Sequence, residues 1–238
     1  MLLAMATTAL TLLAADEVDR AEDEPGLYAW YATLVFGTAD WQQRLDTTTG
    51  SDLGMAAFGQ LLAAQTSRLT PPTIRVGAVG HLWARWAGQL DEGGSPEIQK
   101  AIAQTHASPA AGPSALRKVV QREDLRQATA EVLSTCAPRV SAPIYIGVAT
   151  SLRARLRQHV ASLREGIDAI ATNGGMAPDH LRKSFGGRAA EAGFTEDLLS
   201  VATFPIAPGA LTVDDRRTIA EAAEFLLNRW TRPILGRR

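Results

Sequence analysis

Residues 26–32, Gly-Leu-Tyr-Ala-Trp-Tyr-Ala, follow Pro25 with a two-residue period, which predicts a strand. A second strand is predicted at 144–148, where Ile144, Ile146 and Val148 share one face and Tyr145 and Gly147 the other. Each of these strands sets a tyrosine opposite its aliphatic residues. Residues 198–206, bounded by Pro205 and Pro208, read as a third strand. Two stretches switch to a helical period. The first begins at Thr150 or Ser151, either of which can cap it, and places Leu152, Leu156, Val160 and Leu163 on one stripe. At 100° per residue, Arg155 and His159 lie about 40° apart on one flank of that stripe. The last helix opens with Thr212-Val213-Asp214-Asp215, a capping box in form with Asp in place of Glu. Its expected buried stripe is Ile219, Ala223, Leu226, Leu227 and Trp230, and it should end before Pro233.

The rest of the pattern is less periodic. The apolar start, residues 1–15, reads as a buried N-terminal helix, and residues 166–178, with Asn173-Gly174-Gly175, as a mobile loop. Residues 33–142 are Ala-rich and helical in period, broken at Pro71-Pro72, at 91–95 and at 108–113. The predicted fold class is therefore α+β. A small three-stranded, mainly antiparallel sheet is flanked by helices, formed by residues 1–32 and 143–238 and interrupted by a helical insertion at 33–142.

Composition narrows the setting. With 46% apolar residues in 238, the chain can build a substantial core. One cysteine, Cys136, cannot form an internal disulfide, so a reducing cytoplasm is the default location. Residues 1–15 lack a basic leading region and run into the acidic stretch 16–24, which argues against export. No segment approaches the roughly 18 apolar residues of a membrane span. A net charge of −1 speaks at first against a polyanionic partner. The charge is uneven, however. Residues 1–142 hold eleven basic and fifteen acidic side chains, residues 143–238 thirteen and ten. The basic portion is the one that carries the tyrosine strand and the Arg155–His159 helix, although so small an excess is also what a solvated surface shows.

Gly26-Leu27-Tyr28 on one strand, Tyr145-Ile146-Gly147 on the next, Arg155 ten residues after Tyr145, His159 four further, and Glu224 nine residues before Pro233 together resemble the GIY-YIG nuclease superfamily. The resemblance covers residues 26–32 and 142–235. It implies a metal-dependent endonuclease that hydrolyses phosphodiester bonds in DNA, with one divalent cation, Mg²⁺ with Mn²⁺ able to substitute, held by a single glutamate plus waters and phosphate oxygens. Spacing to the proline selects Glu224 over Glu221. On the helical wheel, with the predicted stripe as centre, Glu224 lies about 120° away and can border a cleft, whereas Glu221 faces solvent.

The resemblance also implies roles. Arg155 would contact the scissile phosphate, a task suited to a planar fork of donors. Tyr28 and Tyr145 would position the attacking water, one of them taking its proton as a phenolate. A free phenol, with a pKa of about 10, needs a metal or cation to do so near neutrality, and Tyr28 is the favoured one of the two. The plain alternative is a pair of core tyrosines. His159 would hydrogen-bond a tyrosine or phosphate or move a proton, or else be an ordinary histidine on a helix flank. Gly147 is expected where strand backbone approaches the helix.

Three positions depart from the family pattern. Val148 and Ala149 replace polar residues after Gly147, and Gly236 stands where an asparagine is common; Asn228 is close in sequence but lies on the helix and is not taken as its substitute. These departures motivate a second reading, a catalytically impaired nuclease-like module that binds nucleic acid or a protein. In the insertion, His81-Leu82-Trp83-Ala84-Arg85-Trp86 offers either helix core or a protein-docking surface, or tryptophans that stack on bases. The basic tail, Arg229, Arg232, Arg237 and Arg238, either grips phosphates or is a solvated terminus.

Overall fold

A computed structural model describes residues 11–69, 111–172, 178–206 and 212–236. Two compact units are present, one formed by the chain up to Val35 together with the chain from Val132, the other running from Phe36 to Glu131. The strands are β1 (Thr11–Ala14), β2 (Gly26–Ala32), β3 (Tyr145–Ala149) and β4 (Leu199–Pro205). The helices among the described residues are α1 (Thr38–Trp41), α2 (Leu53–Leu69), α3 (Ala111–Gln121), α4 (Glu123–Val140), α5 (Leu152–Thr172), α6 (Asp179–Arg182), α7 (Phe185–Glu191) and α8 (Val213–Thr231). None of them is long and apolar enough to cross a membrane.

The chain is α+β, with four strands in place of the three predicted. All pairings are antiparallel, in the order β1-β4-β2-β3. The extra strand comes from the apolar start that reads as a helix: Thr11–Ala14 pair with Ser200–Thr203, and a 3₁₀ turn at Ala15–Arg20 follows. Residues 1–10 of that segment lie outside the described residues. A short apolar run carries no period that separates strand from helix, and here the edge of β4 supplies the ladder hydrogen bonds that decide it.

Central β2 fixes the face on which the tyrosines lie. Gly147 is opposite Tyr28 and Tyr145 opposite Trp30 in the β2–β3 register, and residues directly opposite in an antiparallel pair project to the same side. Tyr28, Trp30 and Tyr145 therefore share one face of the sheet. Helices α5 and α7 cover it. Helix α5 buries the predicted stripe, with Leu152, Leu156, Val160 and Leu163 at most 4% exposed, each such side chain contributing about 1.5–3 kcal/mol. Its N-terminus is held in two ways. Ser151 Oγ accepts from the Ala154 N–H at 3.1 Å, and the Leu152 and Arg153 N–H groups donate to the carbonyls of Glu24 and Glu22 at 3.1 and 3.2 Å. The helix runs on to Thr172, so residues 166–172 of the expected loop are helical, and residues 173–177 lie outside the described residues. Gly166 packs instead of breaking the helix: a Cβ there would meet the Ala190 Cβ at 2.9 Å.

Helix α8 starts with the expected capping box, Thr212 Oγ1 accepting from the Asp215 N–H and the Asp215 carboxylate from the Thr212 N–H, at 3.1 and 3.2 Å. Three of the five residues of its predicted buried stripe are exposed. Ile219, Leu226 and Trp230 are 42%, 44% and 72% exposed, whereas Arg216 and Ala220 are buried and Ala223, Glu224, Leu227, Asn228 and Thr231 half-buried. The inward stripe thus runs 216-220-223/224-227/228-231, and this mixed polar face lies toward β2 and β3. After α8 the Leu235 N–H donates to the Ile144 carbonyl at 2.8 Å, tying the tail to the start of β3.

The Phe36–Glu131 unit contains no named strand among its described residues. Phe58, Leu62, Ala63, Val120 and Ala130 form its core around a fully buried Arg126. That guanidinium donates to the Trp41 and Val120 carbonyls, both at 2.7 Å, and to Asp52 Oδ2 at 2.9 Å.

Candidate active site

At the middle of the tyrosine face is His159, 5% exposed. It projects from α5 between two residues of β2: the Trp30 indole N–H donates to Nδ1 at 3.0 Å, and Nε2 lies 3.3 Å from the Tyr28 hydroxyl. Phe185, at the first position of α7, completes the enclosure, stacked on Trp30 and His159 at 5.1 and 4.9 Å between ring centroids and tilted against Tyr145 at 5.0 Å. Gly186 lets α7 come this close, because a Cβ there would stand 2.3 Å from the Leu163 amide nitrogen and 2.6 Å from the His159 carbonyl oxygen. The rings of Tyr28 and Tyr145 are stacked, 6.2 Å apart.

These surroundings set the proton states. Burial, with the positive charges of Arg155 and Arg188 added, holds the His159 imidazole down at about 3, so it is neutral at physiological pH. Burial also pushes Tyr28 well above the usual phenol value, and the neighbouring Tyr145 raises it further, while a hydrogen bond and the charge from Arg155 act in the opposite direction. Tyr28 rests as a phenol.

Arg155 is half-buried and donates to Gln158 Oε1 at 3.2 Å. It lines a cleft of ≈ 330 Å³ together with Ser151, Gln158, Arg217 and Glu221. A second arginine, Arg188 of α7, has its guanidinium carbon 5.8 Å from the centre of the Tyr145 ring and donates to the carbonyls of Leu235 and Lys183. The position of Gly147 is explained by a side chain and not by the helix: the close approach there is that of the Tyr28 phenol.

Both glutamates of α8 reach the site. Glu224 lines a neighbouring cleft of ≈ 460 Å³ with Tyr145, Ile146, Phe225, Asn228 and Arg229. Glu221 is exposed, as expected, and also borders both clefts, where it accepts from Arg217 at 2.7 Å. Asn228 shares the cleft with Glu224, and a Cβ on Gly236 would lie 3.9 Å from its Oδ1, so the helix asparagine sits beside the position where the tail asparagine is missing.

Tyr28, Tyr145, Arg155 and His159 thus form one cluster, with Glu224 on the wall of a cleft that Tyr145 also lines. Trp30, Phe185 and Arg188 were not foreseen. The two-residue period of β2 already put Trp30 on the face of Tyr28, but Phe185 and Arg188 have no local signal, since α7 reaches the site only through packing. The 81–86 tryptophan motif and the end of the basic tail, Arg237 and Arg238, lie outside the described residues. No protein-family model, curated protein or solved structure matches the chain, so this geometry and the residue pattern carry the functional reading.

Proposed function

We propose that the chain is a metal-dependent endonuclease of the GIY-YIG kind that hydrolyses phosphodiester bonds in DNA. The observation that carries the reading is the convergence of two tyrosines, a histidine and an arginine on one sheet face, with Glu224 in the cleft that Tyr145 borders. Phosphodiester cleavage demands positioning and charge stabilisation, and these side chains are suited to both. Arg155 would bind the phosphate from the Ser151–Gln158 cleft and offset the charge that builds on its oxygens. The tyrosine pair would orient the attacking water.

The donor set fits Mg²⁺. Glu221 and Glu224 line one cleft, and an ion that keeps most of its waters needs only one or two carboxylates plus substrate phosphate. Half-buried Glu224 would hold it, with Glu221 on the same cleft wall as a second carboxylate. A bound ion would polarise the phosphate and acidify water.

A second reading, a nuclease-like module that binds nucleic acid or a protein without cutting, draws support from the burial of Tyr28, which is only 1% exposed. A cleavage assay on single-stranded, duplex and branched DNA and on RNA, with Mg²⁺, with EDTA and with Glu224→Ala as blank, separates the two. Cutting that Glu224→Ala retains would overturn the site assignment. Binding without cutting by the wild type would favour the second reading.

A further inference from the structure

We infer that Phe225 is a stacking platform for an unpaired nucleobase beside the scissile phosphate, so that the substrate is DNA with single-stranded character at the cut and not an intact duplex. The inference rests on the nuclease reading and names the substrate class that the reading leaves open.

The residue that follows Glu224 is a phenylalanine that the core does not use, 56% exposed. Exposure of a single apolar side chain is ordinary. Its place is not. Phe225 lines the ≈ 460 Å³ cleft that Tyr145 and Glu224 share, a volume within the range of ligand pockets. Trp230, more exposed still, lies about 140° further round α8 and borders neither of the two clefts. The Phe225 ring is also held. One helical turn on, the Arg229 guanidinium carbon stands over it at 4.3 Å from the centre, inside the range of cation–π attraction. A ring fixed in this way loses little freedom when a flat partner stacks on its other face.

Charge gives the two clefts different tasks. The Ser151–Gln158 cleft sets Arg155 and Arg217 against Glu221, whereas the Phe225 cleft sets Glu221 and Glu224 against Arg229. An anionic phosphate is drawn to the first and, without a cation, repelled by the second. What the second accepts is the neutral part of a nucleotide, its base. Asn228 on the same wall adds an amide, donor and acceptor both, of the kind that pairs with base edges. Because Glu221 borders both clefts, the base and the phosphate fall on the two sides of the proposed metal site.

A base that stacks on Phe225 is out of the double helix, where both of its faces are covered by neighbouring pairs. Stacking on one aromatic side chain is worth roughly five- to a hundredfold in affinity, about what is forfeited when a paired base is pulled out. The platform therefore gains nothing from an intact duplex and its full value from a strand, bulge or junction whose base is already free. Every base has a flat face, so the preference is for unpaired structure and not for a sequence.

Fluorescence anisotropy in EDTA, where the proposed cleavage is off, tests this with a short labelled strand that is not self-complementary, alone and annealed to its complement. The wild type should bind the strand more tightly than the duplex. Phe225→Leu keeps the apolar bulk and removes the ring, and should weaken binding to the strand by roughly tenfold or more and to the duplex by less than about twofold. Phe225→Trp should bind the strand as the wild type does. Both substitutions fall on an exposed side chain, so the fold is kept. Stacking releases no counterions, so the loss in Phe225→Leu should be the same at low and high salt, whereas that in Arg229→Gln should shrink as salt rises. A wild type that prefers the duplex, a Phe225→Leu protein unchanged on the strand, or equal losses on both ligands would overturn the platform. Strand binding without cutting in Mg²⁺ would end the nuclease reading and leave the platform standing. Cutting of strand and duplex alike, as fast in Phe225→Leu as in the wild type, would do the reverse.

Discussion

Gly147 lies beneath the phenol of Tyr28, so that a Cβ on its backbone would come within 2.4 Å of the Tyr28 oxygen and 2.7 Å of Cζ. The third residue of the second strand motif is therefore small because of the third residue of the first, its direct partner in the β2–β3 register. Gly147→Ala should push the phenol off His159 and Arg155. A displacement near 1 Å costs about a hundredfold in rate, and overpacking costs about 1–3 kcal/mol in stability. Cleavage kinetics beside a urea melt check both. Unchanged kinetics would show that the phenol is not where the reaction needs it.

Much of this was legible in the residue pattern because β2, β3 and the N-terminal half of α5 obey local rules. Period-2 alternation put Tyr28 and Tyr145 on one kind of face, and a helical stripe buried Leu152, Leu156, Val160 and Leu163. Helix α8 shows where such reasoning stops. Its most apolar stripe is exposed, and the face turned to the sheet carries Arg216, Glu224 and Asn228, which no hydrophobic pattern selects. A helix bordering a polar cleft buries what the cleft needs, and that demand is set by β3 and the tail, distant in sequence. Arg188 was invisible for the same reason.

The exposed stripe gives a simple check. Trp230→Ala should alter the unfolding free energy by no more than about 0.5 kcal/mol, as for other surface positions. Had the tryptophan been core, the loss would be about 3–5 kcal/mol. Guanidinium denaturation decides between these values.

The two carboxylates of α8 should separate by function. Glu224→Gln keeps the side-chain volume on the cleft wall and removes the charge, so Mn²⁺ binding followed by electron paramagnetic resonance should be lost along with cleavage. Glu221→Gln removes the charge paired with Arg217 and should retain binding, weakened by about tenfold, in the range seen when a supporting partner of a metal ligand is removed. The reverse order would move the metal to Glu221.

In the Phe36–Glu131 unit, Arg126 is the buried charge on which several elements depend. Arg126→Met leaves Asp52 and the carbonyls of Trp41 and Val120 without their donor, and should cost about 3–5 kcal/mol. Amide hydrogen exchange is the suitable measurement, because it reports the unit on its own. Protection lost in α2 and α4 is expected. Full protection there would mean that the pair with Asp52 contributes nothing net.

His159 makes the stability of the sheet unit depend on pH. Its ordinary value is 6.5 and its folded value about 3, so between these limits the unfolded chain binds a proton that the folded one refuses. The contribution is therefore complete above pH 6.5 and declines as pH falls, by about 1.4 kcal/mol per unit, until it levels off near pH 3. Histidine-to-glutamine replacement removes the titration while an amide can still accept from Trp30 and donate to Tyr28. From pH 6.5 to 4.5 the wild type should lose about 2 kcal/mol more than His159→Gln in urea titrations, since every other titrating group is common to both. Parallel pH curves for the two proteins would mean that the imidazole accepts a proton in the folded state, and Nδ1 could then not be the acceptor for the Trp30 indole.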